Sequence, residues 1–182
     1  MNGKESYFVL ASVEKCTGCR ACEVACFAAH QRGAAKTVGT VATPLIPNLY
    51  VTRTGAIKMP VQCHHCENAP CLQSCLPGAL ERRDGAVVVN GRKCIGCRNC
   101  ALACPFGAIH IAEAALLPEL AGHAPVYKCD LCQDREGGPA CIAACPNEAL
   151  RLVDSAEELR AKRIQASEAS EALQNSLARG GQ

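Results

Sequence analysis

Residues 94–109 read Cys94-Ile95-Gly96-Cys97-Arg98-Asn99-Cys100-Ala101-Leu102-Ala103-Cys104-Pro105-Phe106-Gly107-Ala108-Ile109. Three thiols in one tight loop, a fourth after x3 and a closing proline form the ligand run C-x2-C-x2-C-x3-C-P of a 4Fe–4S cluster. Three more quartets lie around it. Cys16, Cys19, Cys22 and Cys26 repeat the spacing; Cys63, Cys66, Cys71 and Cys75 open the middle gap to four residues, and Cys129, Cys132, Cys141 and Cys145 open it to eight. Together they use all 16 cysteines of the chain. A 4Fe–4S cluster needs four thiolates, so this count predicts four clusters and an electron wire.

Aromatic residues make up 3% of the 182, with no Trp and three Phe, so an ordinary core would be thin. Bound metal can supply the missing folding free energy, and the metal-free chain is expected to be largely unfolded. The formal charge of +2 gives no reason to expect nucleic-acid binding. Each oxidised cluster with its thiolates adds about two negative charges, which brings the loaded protein to about −6. Cysteine at this density also occurs in secreted disulfide scaffolds, but such close spacing makes poor disulfide geometry and good cluster loops. Zinc sites use paired C-x2-C knuckles from separate segments, without a trailing x3-C. Residues 1–12 show no charged leader before an apolar stretch and no twin arginine, and no apolar run reaches the length of a membrane span. A reducing cytoplasm and no direct membrane span are therefore expected.

Along the chain, Tyr7 to Val13 reads as a strand and Glu23 to His30 as a short helix. Residues 31–60 read as a connector in which Leu49–Thr52 and Ala56–Met59 pair about a Thr54-Gly55 turn. Residues 61–112 form a compact unit with Asp84-Gly85 as a turn before the strand Ala86–Val89, and 113–128 read as a loop. After the last cysteine of quartets two, three and four, a turn runs through Pro77-Gly78-Ala79-Leu80, Pro105-Phe106-Gly107-Ala108-Ile109 and Pro146-Asn147-Glu148-Ala149-Leu150, an internal repeat. Gly18 and Gly96 sit inside two of the C-x2-C loops, where positive φ is easy; the other two loops carry His64-His65 and Asp130-Leu131. From Asp154 the composition turns to Ala, Glu, Arg, Ser and Leu. Ser155-x-x-Glu158 reads as a capping box opening a narrow amphipathic helix along Leu159, Ala166, Leu173 and Leu177 that ends at Gly180-Gly181. That tail is either solvated or a docking arm for a partner or a second copy.

The quartets with their neighbours resemble the four-cluster ferredoxin-like electron-transfer subunits of complex oxidoreductases, from about residue 7 to 154. The marks are Cys16-Thr-Gly-Cys-Arg-Ala-Cys-Glu-Val-Ala-Cys with His30 following, Cys63-His-His-Cys-Glu-Asn-Ala-Pro-Cys, the stretch quoted first, and Lys128-Cys-Asp-Leu-Cys with Gly138-Pro-Ala-Cys. Similar subunits serve formate hydrogenlyase, formate dehydrogenase, hydrogenase and carbon monoxide dehydrogenase complexes. Two departures are visible. Phe27 replaces the proline expected after a fourth ligand, and Leu76 stands between Cys75 and Pro77, which should shift the turn there.

The resemblance implies an α+β fold of tandem, nested bacterial-ferredoxin-like 2×4Fe–4S modules with a C-terminal helical tail. The outer module would take residues 1–60 and 113–153, the inner one 61–112 and the tail 154–182. It further implies that Cys16, Cys19, Cys22 and Cys145 hold one cluster, and Cys26, Cys129, Cys132 and Cys141 its neighbour. In the inner module Cys63, Cys66, Cys71 and Cys104 would hold the third, and Cys75, Cys94, Cys97 and Cys100 the fourth. Iron is thus expected on all sixteen cysteines.

Lys15, Lys93 and Lys128 each precede the first cysteine of a quartet, with Gln62 in that place in quartet two. A nearby cation would raise a cluster's potential, although solvated lysines are the plainer reading. His64 and His65 read as ordinary, partly exposed histidines. No catalytic constellation, GxGxxG or phosphate loop is present, so the expected role is non-catalytic. The chain would pass electrons between a catalytic molybdenum or tungsten formate dehydrogenase, or carbon monoxide dehydrogenase, subunit and a hydrogenase or other electron-transfer subunit. Self-association through 154–182 is the further partner expectation. Two rivals are an accessory protein that matures such an enzyme, which would leave the complex on purification, and a colourless zinc-held scaffold.

Overall fold

The computed structural model describes residues 6–31, 38–41, 44–111 and 126–179. Its strands are β1 (Tyr7–Ala11), β2 (Tyr50–Thr54), β3 (Ile57–Val61), β4 (Leu80–Arg83), β5 (Ala86–Val89), β6 (His110–Ile111), β7 (Val126–Tyr127) and β8 (Leu150–Asp154). The α-helices are α1 (Ala21–Ala29), α2 (Pro70–Gln73), α3 (Asn99–Ala103), α4 (Ala140–Ala143) and α5 (Ser155–Arg179). Among the described residues the strands form antiparallel pairs only: β1 with β8, β2 with β3, β4 with β5 and β6 with β7.

The element order follows from the quartets. Each of α1 to α4 carries the third cysteine of its quartet; α2, α3 and α4 stop before the fourth, while α1 carries Cys26 as well and runs on to Ala29. α1 and α3 start after Arg20 and Arg98, both left-handed at φ 65°, while α2 starts on Pro70 and α4 directly after Pro139. A proline at the first turn loses no helical hydrogen bond and presets φ. β1 pairs with β8 in the register Tyr7↔Asp154 to Ala11↔Leu150, so the chain before quartet one meets the chain after quartet four. α1 packs on α4 and α2 on α3. The β4–β5 turn, Asp84-Gly85, has φ 44° and 77°, the doubly positive pair that matches a hairpin's twist.

Three local expectations need correction. The β2–β3 turn is Gly55-Ala56, one residue later than Thr54-Gly55, because Thr54 pairs with Ile57 and Gly55 takes φ 57°. The segment read as a 113–128 loop ends in β7; its residues 113–125 lie outside the described ones. Ser155 and Glu158 do not form a capping box. Asp154 caps α5 instead, its Oδ1 accepting the Ala156 N–H at 2.7 Å. The Ser155 N–H donates to Ser6 O at 2.9 Å, and Glu158 pairs with Arg151 at 3.0 Å. An acceptor one residue earlier satisfies the free N–H, so the serine is released to join the end of the β1–β8 ladder.

α5 runs 25 residues, and its side chains are exposed beyond the first turn as far as Leu177. No helix among the described residues is long and apolar enough to cross a membrane.

Candidate iron–sulfur sites

The four C-x2-C loops share one backbone device. The residue before the second cysteine is left-handed in every case: Gly18 at φ 72°, His65 at 47°, Gly96 at 71° and Leu131 at 61°. Glycine reaches this region freely, but His65 and Leu131 are held there at a cost of order 1 kcal/mol or more. Main-chain carbonyls of these loops are gripped by arginines. Arg53 donates to Gly18 O at 3.0 Å, and Arg82 donates to Cys66 O at 2.5 Å and Glu67 O at 3.0 Å. Ser6 adds a 2.6 Å bond to His65 O.

A second device follows the fourth cysteine. The N–H of Ala79, Ala108 and Ala149 donates to the Sγ of Cys75, Cys104 and Cys145 at 3.2, 3.4 and 3.3 Å. Gly78, Gly107 and Glu148 before those alanines are left-handed at φ 63°, 60° and 47°. The expected shift of the turn by Leu76 therefore does not occur. The turn counts four residues from cysteine to alanine in all three quartets, and Leu76, 88% exposed, merely takes the outward place that proline holds in the others. Phe27 is different. Without proline, α1 continues past Cys26, so no turn returns an N–H to its sulfur. The Asn48 N–H reaches Cys26 Sγ at 3.3 Å instead.

The sixteen thiols are all free of disulfides, and seven of them are buried. One cavity is lined by Cys16, Cys19, Cys22 and Cys145, and another by Cys75, Cys94, Cys97 and Cys100. Each thus gathers three cysteines of one quartet and the last of a second. Cys66 and Cys71 feel Cys63 and Cys104, and Cys141 feels Cys26 and Cys132. Burial pushes the Cys22 and Cys71 thiols up to about 11 and Cys141 to about 12, and lifts Cys129 as well. Such groups do not ionise unaided near neutral pH; a bound metal ion makes them thiolates. Free, inward-facing thiols with main-chain donors on the fourth sulfurs fit iron–sulfur clusters.

Residues outside the quartets add charge. His30 donates from Nδ1 to Cys26 O at 2.7 Å and from Nε2 to Asp130 at 2.9 Å. Both ring nitrogens meet oxygen acceptors, so the ring is an imidazolium, and the Asp130 bond followed by Cys26 raises it to about 11. Burial opposes ionisation of Asp130, but His30 holds its carboxyl below the usual range. This pair ties quartet one to quartet four, and in the sequence only the place of His30 after quartet one hinted at it.

The expectation of partly exposed histidines fails for His65. It is fully buried and accepts the Val87 N–H on Nδ1 at 2.9 Å; burial, then Lys128, drive it down to about 3. His64 is half-buried in a stack between Phe8, centroids 5.0 Å apart, and Phe106, 4.0 Å apart. Lys15 and Lys93 are exposed as expected, but Lys128 is buried, with its Nζ on the Val87 and Cys129 carbonyls.

Known proteins are similar to this chain in sequence. The electron transport protein HydN of Escherichia coli is 42% identical over 154 residues, covering 81% of this chain and 87% of that one. Hydrogenase-4 component A of Escherichia coli is 40% identical over 175 residues, covering 80% and 82%. The putative oxidoreductase AegA of the same species is 43% identical over 148 residues, which are 80% of this chain and 22% of that longer protein. The 4Fe-4S dicluster domain family matches residues 55–155, which take in the last three quartets and the hairpin between them, and the chain belongs to that family.

Proposed function

We propose that the chain is a non-catalytic electron carrier with four 4Fe–4S clusters, wired between a catalytic oxidoreductase subunit and a second redox protein. The observation that carries this is the sharing of each cysteine-lined cavity by two quartets. When bound, each cluster gains or loses one electron at a time. The ligand sets are Cys16, Cys19, Cys22, Cys145; Cys26, Cys129, Cys132, Cys141; Cys63, Cys66, Cys71, Cys104; and Cys75, Cys94, Cys97, Cys100.

Packing supports an order. Cys22, Cys26 and Cys141 share one core group, Cys63 and Cys129 another, and Cys71 and Cys100 a third. The four sets therefore follow one another in the sequence given, with the core group of Cys63, Ala108 and Cys129 joining an inner module (61–112) to an outer one (1–60 and 113–153). Main-chain N–H groups on sulfur favour the more negative, reduced state and keep the ligands from reorganising. The exposed Cys19 and Cys97 bring the two end sets to the surface. The partners fitting this reading are a molybdenum or tungsten formate dehydrogenase or a carbon monoxide dehydrogenase subunit at one end, and a hydrogenase at the other. The name of hydrogenase-4 component A supports the hydrogenase side, and that of the electron transport protein HydN supports the electron-carrying role.

Metal analysis tests the proposal. Anaerobically prepared protein should be brown and hold about 16 Fe and 16 sulfide per chain, and reduction should take up about one electron per cluster, about four per chain. Zinc in place of iron, or half that iron, would sink it.

The tail (154–182) has a separate test. α5 touches β8 and leaves Leu159, Leu173 and Leu177 at 50%, 62% and 69% exposure. A lone helix with so little packing is marginal in water, so we assign it a neighbouring chain, a partner or a second copy. Truncation after Val153 should leave iron content unchanged and lower the assembled mass in light scattering. An unaltered mass would make α5 a solvated tail.

A further inference from the structure

Lys128 is 4% exposed, directly before Cys129. Its ammonium donates to the Cys129 carbonyl at 2.8 Å and to the Val87 carbonyl of β5. Val87 is itself fully buried and gives its N–H to His65 Nδ1, so both its main-chain groups serve cluster loops. The lysine thus springs from quartet four and is fastened to the hairpin between quartets two and three. From there its charge acts on both Cys71 and Cys129.

A buried ammonium costs several kcal/mol unless an opposite charge compensates it. Among the described residues no carboxylate lies within ion-pair distance of Lys128. Two carbonyl dipoles satisfy its hydrogen bonds but not its charge. Among the described residues the remaining source of negative charge near it is the two thiolate sets on which its charge acts, each about 2− when loaded and more negative when reduced. The matching places around the other quartets differ. Lys15 and Lys93 are exposed and screened by water, and Gln62 is buried but neutral, its amide donating to Val9 O.

We propose that Lys128 is a fixed internal cation shared by the two middle cluster sites, those of Cys63 and Cys129, and that it holds both at a higher reduction potential than a neutral side chain would. This rests on the four-cluster reading above. An electron arriving on either site is drawn to a charge that little water screens, whereas among the described residues the two end sites have no buried lysine or arginine. Lys128 is accordingly a positioning residue for charge and binds no iron.

The experiment uses the full chain, loaded anaerobically, as Lys128→Met and as Lys128→Gln, which keeps a donor for the Val87 carbonyl. Iron is measured first, then each cluster is followed by paramagnetic resonance through a redox titration. The two middle signals are those that Cys63→Ser and Cys129→Ser perturb. With iron unchanged, the reduced-to-oxidised ratio of those two at the wild-type midpoint should fall about tenfold or more, a shift of ~59 mV for one electron. The end signals should move far less. Unshifted middle signals, or an equal shift of all four, would overturn the proposal. If neither neutral variant keeps its iron, Lys128→Arg decides. Full loading with near-native middle potentials supports the charge, and loss of iron there too overturns the proposal in favour of a packing role. Unsubstituted protein with fewer than four clusters' worth of iron would instead remove the reading on which the inference stands.

Discussion

Stripping iron from the anaerobic protein should abolish its cooperative thermal transition and most of its strand and short-helix signal. The reason is the composition of the core. Cys22, Cys26, Cys63, Cys71, Cys100, Cys129 and Cys141 are among its buried residues, and much of what packs around them is alanine and valine. The sheets are two-stranded, and a lone hairpin is at best marginal in water. α1 to α4 span nine residues or fewer, below the length at which an isolated helix holds. Ligation therefore supplies folding free energy, which for structural metal sites is about 10 kcal/mol or more. Any residual iron-free fold should weaken further as pH rises past 9. Thiols with the ordinary value of 9.0 ionise in the unfolded chain first, while the folded Cys22 and Cys71 stay protonated to about 11. Circular dichroism and calorimetry before and after anaerobic chelation check this. A sharp transition at an unchanged midpoint in the iron-free chain would contradict it.

The second large effect concerns Cys26. Its sulfur springs from within α1 beside quartet one, yet its surroundings come from elsewhere. Asn48 donates to it, His30 stands 3.9 Å away, and it acts electrostatically on Cys132 and Cys141. Cys26→Ser should therefore erase or convert the same paramagnetic signal as Cys129→Ser, at a cost of up to about 4 of 16 iron atoms. The signal lost in Cys16→Ser should persist. One common signal lost by Cys26→Ser and Cys16→Ser would mean self-contained quartets and reject the crossed ligand sets.

Much of this molecule was legible in local spacing. Three cysteines of a quartet are bound into a loop by short covalent tethers, so their convergence needs no knowledge of the rest of the chain. Tyr7–Ala11, Ala86–Val89 and the tail helix are legible in an apolar run before quartet one, an Asp-Gly turn and a change of composition. The repeated turn after the fourth cysteine is visible too, but its invariant is not the proline. The main chain keeps the count from sulfur to the alanine N–H, which is why Leu76 is harmless.

What only the tertiary structure decided is the electrostatic setting of the cysteines. Lys15, Lys93 and Lys128 hold the same place in sequence, yet Lys128 alone of the three is buried, because Val87, 41 residues away, takes its ammonium. His30 is an imidazolium because Asp130, 100 residues on, accepts from it; His65 stays neutral because burial and Lys128 leave no room for another charge. Charge state depends on burial and on distant partners, and neither is a property of a short stretch of sequence. The spacing of cysteines thus determined that this chain binds iron–sulfur clusters, while long-range packing determined which charges stand beside them.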